Sequence, residues 1–302
     1  MALSRSLRAL LHGLIDYAGL FPPAQLDMHS AVTRYASYRG GARAWMLGRF
    51  VVPSSRLEEF EGAAAALLPK SRDVEPWPLA LLGEDPVHDA EQIFAFNERH
   101  AKTAVGRAVI DTLEVRAGTV EEVERRVRSA PPGVAVYVEV PIATDPADLL
   151  AALGNLGGRA KVRTGGITAD AIPAVRDVAR FIRVARDQGV PFKATAGLHH
   201  PLRGSYPLTY EPDAPSGTMF GFLNIFIAAL LADAGSSLAE LELVLAEADP
   251  ARFRFDDRGI AWGDHHAPVE DIERLRARGA ISFGSCSFTE PAYELEILGI
   301  TA

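Results

Sequence analysis

Two lysines and an arginine lie in short segments of strand-like alternation: Lys161 and Arg163 in AKVRTGG (160–166), and Lys193 in FKATAGLHHP (192–201). Successive side chains of a strand point to opposite faces. Lys161, Arg163 and Gly165 therefore share one face of the first segment, and Lys193, Thr195 and Gly197 one face of the second. Burying a cation costs energy unless it meets an anion or sheds its proton. Three cations on converging faces point to a site that grips an anion, or to an amine with a lowered pKa, the state a lysine needs to attack a carbonyl. The plainer alternative is that each lysine pairs with an interior carboxylate such as Glu139 or Asp111.

Other residues near these segments extend the candidate site. Thr164, Gly165, Gly166 and Thr195 are positioned to help hold an anion, as are Gly284 and Ser285 in SFGSCSF (282–288). His199 and His200 follow the second segment directly, where an imidazole serves as general acid or base near neutral pH. Asp16, ahead of Gly19 and the Pro22-Pro23 pair, is either catalytic or a carboxylate that caps the following turn. Arg49 either grips a substrate carboxylate or phosphate, or pairs with a surface acid.

The same residues include possible metal donors. Glu139, Asp16, His199 and His200 are mixed oxygen and nitrogen donors, and Asp264, His265 and His266 form a second cluster, so two pairs hold four of the eight histidines. No HExxH or comparable spacing accompanies them, and no metal is assigned. Cys286 reads as a small buried residue, since a nucleophilic role needs a base and a depressed pKa. The glycine pairs at 40, 157 and 165 match neither GxGxxG nor GxxxxGKS, so no nucleotide cofactor is expected.

The elements that must position these residues follow from the rest of the chain. Strand-like runs at 14–18, 44–51, 79–82, 107–111, 134–140, 160–164, 192–196 and 281–284 alternate with helical periodicity. Helices are expected from Ser55 through Leu67, from Thr119 with Glu122 at capping-box spacing, and from Thr168 through Gln188 with Gly189 as the stop. Eight such alternations in 302 residues predict an α/β protein of the (β/α)8 TIM-like barrel class, one domain over 1–302, with an open doubly wound sheet as competitor. In a barrel the site lies at the carboxyl ends of the strands. A stretch over 202–268 exceeds the minimal barrel; its polar part, RGSYPLTYEPDAPSG, is a candidate lid, and FRFDDRGIAWGD predicts a hairpin turning at Asp257, Arg258 and Gly259.

Composition narrows the partners. With 31 basic against 39 acidic residues the net charge is −8, which disfavours nucleic acid and anionic lipid surfaces. One cysteine excludes an internal disulfide framework. Arg8, His12 and Asp16 interrupt the N-terminal apolar run before it resembles a signal segment, so the cytoplasm is the expected location. The run over 219–232 is too short to span a bilayer, which predicts a helix buried on two sides and a candidate surface for a homo-oligomer.

The order Lys-x-x-Thr-Gly, Lys-Ala-x-x-Gly and Phe-Gly-x-x-Ser on the last three strands resembles the class I deoxyribose-phosphate aldolase type of barrel. That resemblance implies Lys161 as the Schiff-base lysine, Lys193 as the neighbour that lowers its pKa, and Gly284 with Ser285 in a phosphate-binding loop; Asp111 and Asp85 are the candidates for its acid. The phrases DYAGLFPP, KVRTGG, FKATAGLHHP and SFGSCSF also resemble an uncharacterised bacterial family of barrel-like proteins. The expected function is an aldolase-like lyase acting on a small anionic carbonyl compound through Lys161 or Lys193, with Arg163, Gly284 and Ser285 holding the anion. The alternatives are a metal-dependent lyase, isomerase or hydrolase built on Glu139, His199 and Asp16, and a barrel that binds its ligand without turnover.

Overall fold

A computed structural model describes residues 3–300; the ends of the expected 1–302 domain, residues 1–2 and 301–302, lie outside the described residues. Among the described residues the strands are β1 (Ile15–Tyr17), β2 (Leu47–Pro53), β3 (Trp77–Leu82), β4 (Ala108–Arg116), β5 (Ala135–Glu139), β6 (Arg159–Arg163), β7 (Phe192–Thr195), β8 (Gly204–Pro207), β9 (Ser216–Met219), β10 (Phe253–Phe255), β11 (Gly259–Trp262), β12 (His265–Pro268) and β13 (Ala280–Ser285). The helices are α1 (Arg5–Leu11), α2 (Met28–Arg39), α3 (Leu57–Ala64), α4 (Pro86–His100), α5 (Val120–Ser129), α6 (Ala147–Leu156), α7 (Val175–Asp187), α8 (Phe222–Asp233), α9 (Leu238–Ala246), α10 (Val269–Arg278) and α11 (Thr289–Ile297).

Eight parallel strands close into a barrel in the order β1-β13-β7-β6-β5-β4-β3-β2, which is the expected (β/α)8 fold and excludes the open sheet. Apolar side chains of the strands face the helices: Phe192 packs edge-on against Phe181 of α7, and Phe283 stacks on Phe222 of α8. The alternate positions, Asp16, Glu114, Lys161, Lys193 and Ser282, are buried polar groups. The interior at this level is thus filled with ions rather than the branched aliphatics that usually fill such barrels.

Several boundaries differ from expectation, each for a local reason. Residues Ala44–Met46 form a 3-10 turn, so β2 starts at Leu47 and runs on to Pro53. The fourth strand extends beyond Asp111 to Arg116. Its register with β3 slips there, with Leu79 opposite Ile110 but Ala80 opposite Thr112, so the alternation breaks at Asp111. Ser54–Arg56 also form a 3-10 turn, and α3 is shorter than the helix expected from Ser55. The helix expected from Thr168 begins only at Val175, because the residue before Pro173 is held away from helical backbone. Gly189 does end it, at φ +63°.

Between β7 and β13 lie the β8–β9 hairpin, α8 and α9, and the antiparallel sheet β10-β11-β12, whose first turn is the hairpin expected around Asp257. Helix α8 is buried from Phe222 to Ala232 within its own chain, against α7, α9, α10 and β13. It therefore offers no apolar face to a second subunit, which corrects the expectation for 219–232. Among the described residues no helix is long and apolar enough to cross a membrane.

Candidate active site

Strand register places the ionic side chains in rows. Glu139 of β5 lies opposite Lys161 of β6, Lys161 opposite Lys193 of β7, and Lys193 opposite Ser282 of β13. Lys193 Nζ donates to Asp16 Oδ2 at 2.6 Å and to Glu114 Oε1. Lys161 Nζ pairs with Glu114 Oε2 at 2.9 Å and Glu139 Oε2 at 3.1 Å. Glu139 Oε1 in turn accepts from Arg163 Nε at 3.1 Å and has Arg116 Nε 3.5 Å away. Asp16 also accepts from Ser282 Oγ at 2.7 Å and from the Arg49 backbone N–H at 2.8 Å.

These contacts make a chain of alternating sign, from Asp16 through Lys193, Glu114, Lys161 and Glu139 to the two arginines. Three carboxylates face four cations, so one positive charge is left over, and it falls at the outer end, where Arg163 and Arg116 are the more exposed members. Each lysine does pair with interior carboxylates, as the plainer alternative held. The carboxylates are Asp16, Glu114 and Glu139, not Asp111. The expectation of a lowered pKa does not apply to Lys193: burial alone would pull it down, but Asp16 and Glu114 outweigh burial and hold it above the ordinary lysine range. Burial would raise Glu114, and Lys161 and Lys193 outweigh it to hold the carboxyl down to about 2. Glu139 is lowered by the same balance of burial against Lys161 and Arg163.

Above this chain a cavity of about 340 Å³ opens at the carboxyl ends of the strands. Glu114, Lys161 and Lys193 reach it from within, Arg116 and Arg163 flank it, and Phe21, Val51 and Leu82 give it apolar wall. Gly166, Thr195, His199 and Gly284 line it as expected. Gly165 serves by its smallness: the loops after β6 and β7 pass so closely that a Cβ on Gly197 would lie 2.9 Å from Gly165 Cα. Gly197 and its neighbour Ala196 both have positive φ, and such strain in a non-glycine residue is found mostly at functional sites.

Other expected residues are placed differently. Arg49 makes a bidentate pair with Asp111 at 2.6 and 2.8 Å, outside the cavity lining, so it is occupied by an acid rather than free for substrate. Asp85 caps α4. Asp16 is not among the cavity's lining residues, Thr164 Oγ1 donates to the Ala196 carbonyl at 2.8 Å, and Ser285 Oγ sits 3.3 Å from His199 Nδ1. The proposed metal set of Asp16, Glu139 and His199 is not gathered, since both acids are spent on lysines. Among the described residues the three-ligand cluster is His200, Glu290 and Glu294. His266 of the second pair is exposed on β12, and His265 Nε2 lies 3.3 Å from Glu240.

Cys286 lines the cavity with its Sγ 3.7 Å from His199 Nδ1. Burial pushes the thiol up to about 11, and burial with the neighbouring His200 pushes His199 down to about 4. Both are neutral near pH 7, so the pair is no thiolate–imidazolium nucleophile. The functional residues not singled out from sequence are Glu114 and Arg116, which a strand ending at Asp111 leaves out, and Tyr210, which reaches Glu290 from the insertion. No protein-family model, curated protein or solved structure matches this chain.

Proposed function

We propose that this barrel is an aldolase-like lyase that forms an imine between Lys161 and a small carbonyl compound carrying a phosphate or carboxylate. The observation that carries the reading is the unequal fixing of two lysines over one carboxylate. Lys193 is 1% exposed and donates aligned hydrogen bonds to Asp16 and Glu114. Lys161, 4% exposed, also reaches the cavity, and its contacts to Glu114 and Glu139, at 2.9 and 3.1 Å, are looser. A charge-locked Lys193 is withdrawn from nucleophilic attack, which leaves Lys161 as the cavity lysine to meet the carbonyl. The strand-end motifs similar to class I deoxyribose-phosphate aldolases agree with these roles.

In this reading Lys161 passes one proton to Glu139 Oε2, 3.1 Å away, and its nitrogen bonds to the carbonyl carbon. The carbonyl oxygen gains two protons and leaves as water, giving a cationic imine. The imine draws in the electron pair of the adjacent carbon–carbon bond while a β-hydroxyl loses its proton and departs as a second carbonyl compound. The enamine left behind takes up a proton, and water hydrolyses it to free Lys161. Arg116 and Arg163 hold the anionic group at the mouth, where a bidentate guanidinium suits either oxyanion.

The chain has four lysines, at 70, 102, 161 and 193, so covalent trapping is unambiguous. The protein is incubated with borohydride and, in separate reactions, pyruvate, acetaldehyde and dihydroxyacetone phosphate, then mapped by peptide mass. The expected result is an adduct on the Lys161 peptide that disappears in Lys161→Met. No adduct with any probe, or an adduct confined to another lysine, overturns the imine.

A further inference from the structure

Outside the lysine chain, three ligand-bearing side chains from distant segments converge. His200 comes from the turn after β7, Glu290 and Glu294 come from α11, and one ligand atom of each lies within 4.8 Å of the others. The glutamates are four residues apart and so project from one face of the helix, a like-charge pairing that weakens a helix unless something offsets it. Among the described residues no lysine or arginine nitrogen approaches either carboxylate within 4.0 Å. Their neighbours are imidazoles: His200 Nδ1 lies 2.8 and 2.9 Å from the two oxygens of Glu294, and His199 Nδ1 lies 3.6 Å from Glu290 Oε2.

The surroundings hold these ligands in place. The His200 ring lies flat on Tyr206, with centroids 3.5 Å apart, and His200 itself is 8% exposed. Tyr210 Oη donates to Glu290 Oε2 at 2.9 Å, the kind of outer hydrogen bond that orients a ligating carboxylate. Both tyrosines come from the segment between β7 and α8. We infer that His200, Glu290 and Glu294 bind one divalent first-row transition ion, Zn²⁺ in the first instance, with solvent completing the shell. One imidazole and two carboxylates suit such an ion; Ca²⁺ would want six to eight oxygens. The ion clips the C-terminal helix to the turn after β7 and to the insertion. None of its ligands lines the lysine cavity, so this inference stands apart from the imine reading.

The test is calorimetric titration of EDTA-treated, dialysed full-length protein with ZnCl2. One site per chain is expected, weakened at least about tenfold in Glu290→Gln and in Glu294→Gln and unchanged in His265→Ala/His266→Ala. No saturable site, or one that survives both glutamate changes, overturns it, as does one lost only with His265 and His266. Anomalous scattering from wild-type crystals soaked in ZnCl2 gives the same decision without a variant: a peak between His200 Nδ1 and the two carboxylates supports the site, and peaks only elsewhere refute it.

Discussion

Lys161 and Lys193 are register partners on adjacent strands, and their ammonium groups end on the two oxygens of a single carboxylate, that of Glu114. Two like charges side by side in a barrel interior are tolerable only because an acid is interleaved at each step, with Asp16 beyond Lys193 and Glu139 beyond Lys161. Such a row stabilises the fold little compared with aliphatic packing, and three of its members, Glu114, Lys161 and Lys193, line the cavity.

Glu114→Gln tests that interleaving. Removing one partner from a buried ionic network leaves uncompensated charge, so the variant is expected to lose about 3–5 kcal/mol near neutral pH by urea denaturation. The sign of the pH dependence follows from a carboxyl lowered from 4.5 to about 2 in the folded state. Its contribution is complete above the unfolded value and is lost as pH falls toward the folded one. The gap between wild type and variant should therefore narrow between about pH 4.5 and about pH 2. A constant gap would mean that Glu114 is not held as the anion.

Cys286 should behave as a buried thiol. Only the thiolate reacts, and with the thiol pushed up to about 11 by burial the folded protein holds little of it at mildly alkaline pH. Reaction with a disulfide reagent near pH 8 should be at least about a hundredfold slower in the folded than in the urea-denatured chain. Comparable rates would reopen a nucleophilic role for the His199–Cys286 pair.

What could be read from the sequence was whatever repeats along a strand. Lys161, Arg163, Lys193 and Thr195 alternate cleanly, so their shared interior face was legible, and the turn glycines and histidines beyond them marked the mouth. Glu114 was hidden because β4 slips register at Asp111, after which alternation counted from Arg107 no longer reports the right face. Arg49 was left open between an anion and a surface acid, and Asp111 between a lysine's partner and the acid, because the bond that joins them links residues 62 apart on different strands. Asp16 meets Lys193 across 177 residues, through closure of the barrel between β1 and β13. Periodicity within one element carries no information about such partners.

Asn224 is the one polar residue in the buried part of α8, and hydrophobicity alone predicts that leucine there would stabilise the helix. Its contacts predict the reverse. The side-chain amide donates to the carbonyls of Val244 and Glu247 at 2.7 and 2.8 Å and accepts from Arg203 N–H at 2.9 Å, tying α8 to the end of α9 and the start of the insertion. Asn224→Leu strands the buried Val244 carbonyl, at about 1–3 kcal/mol, and two part-buried backbone groups that water can reach. A loss of at least about 1 kcal/mol is expected by urea denaturation, and a gain would show that water or local rearrangement replaces the amide.

Two glycine-to-alanine changes should move stability in opposite directions. At Gly197 the backbone has φ +72°, and an added Cβ would lie 2.9 Å from Gly165 Cα, a backbone atom that cannot swing aside. Left-handed strain alone costs about 1–3 kcal/mol, and the crowding would push the loops after β6 and β7 apart beneath the cavity rim. Gly62, inside α3, has nothing within 4 Å of the same position and no positive φ, so Gly62→Ala should gain about 0.5–1 kcal/mol from reduced freedom of the unfolded chain. Paired thermal melts decide the matter. If Gly197→Ala melted with wild type while Gly62→Ala rose, the two loops would not be in the close contact that shapes the mouth, and the placement of Thr195 and Gly166 on one cavity wall would fail with it.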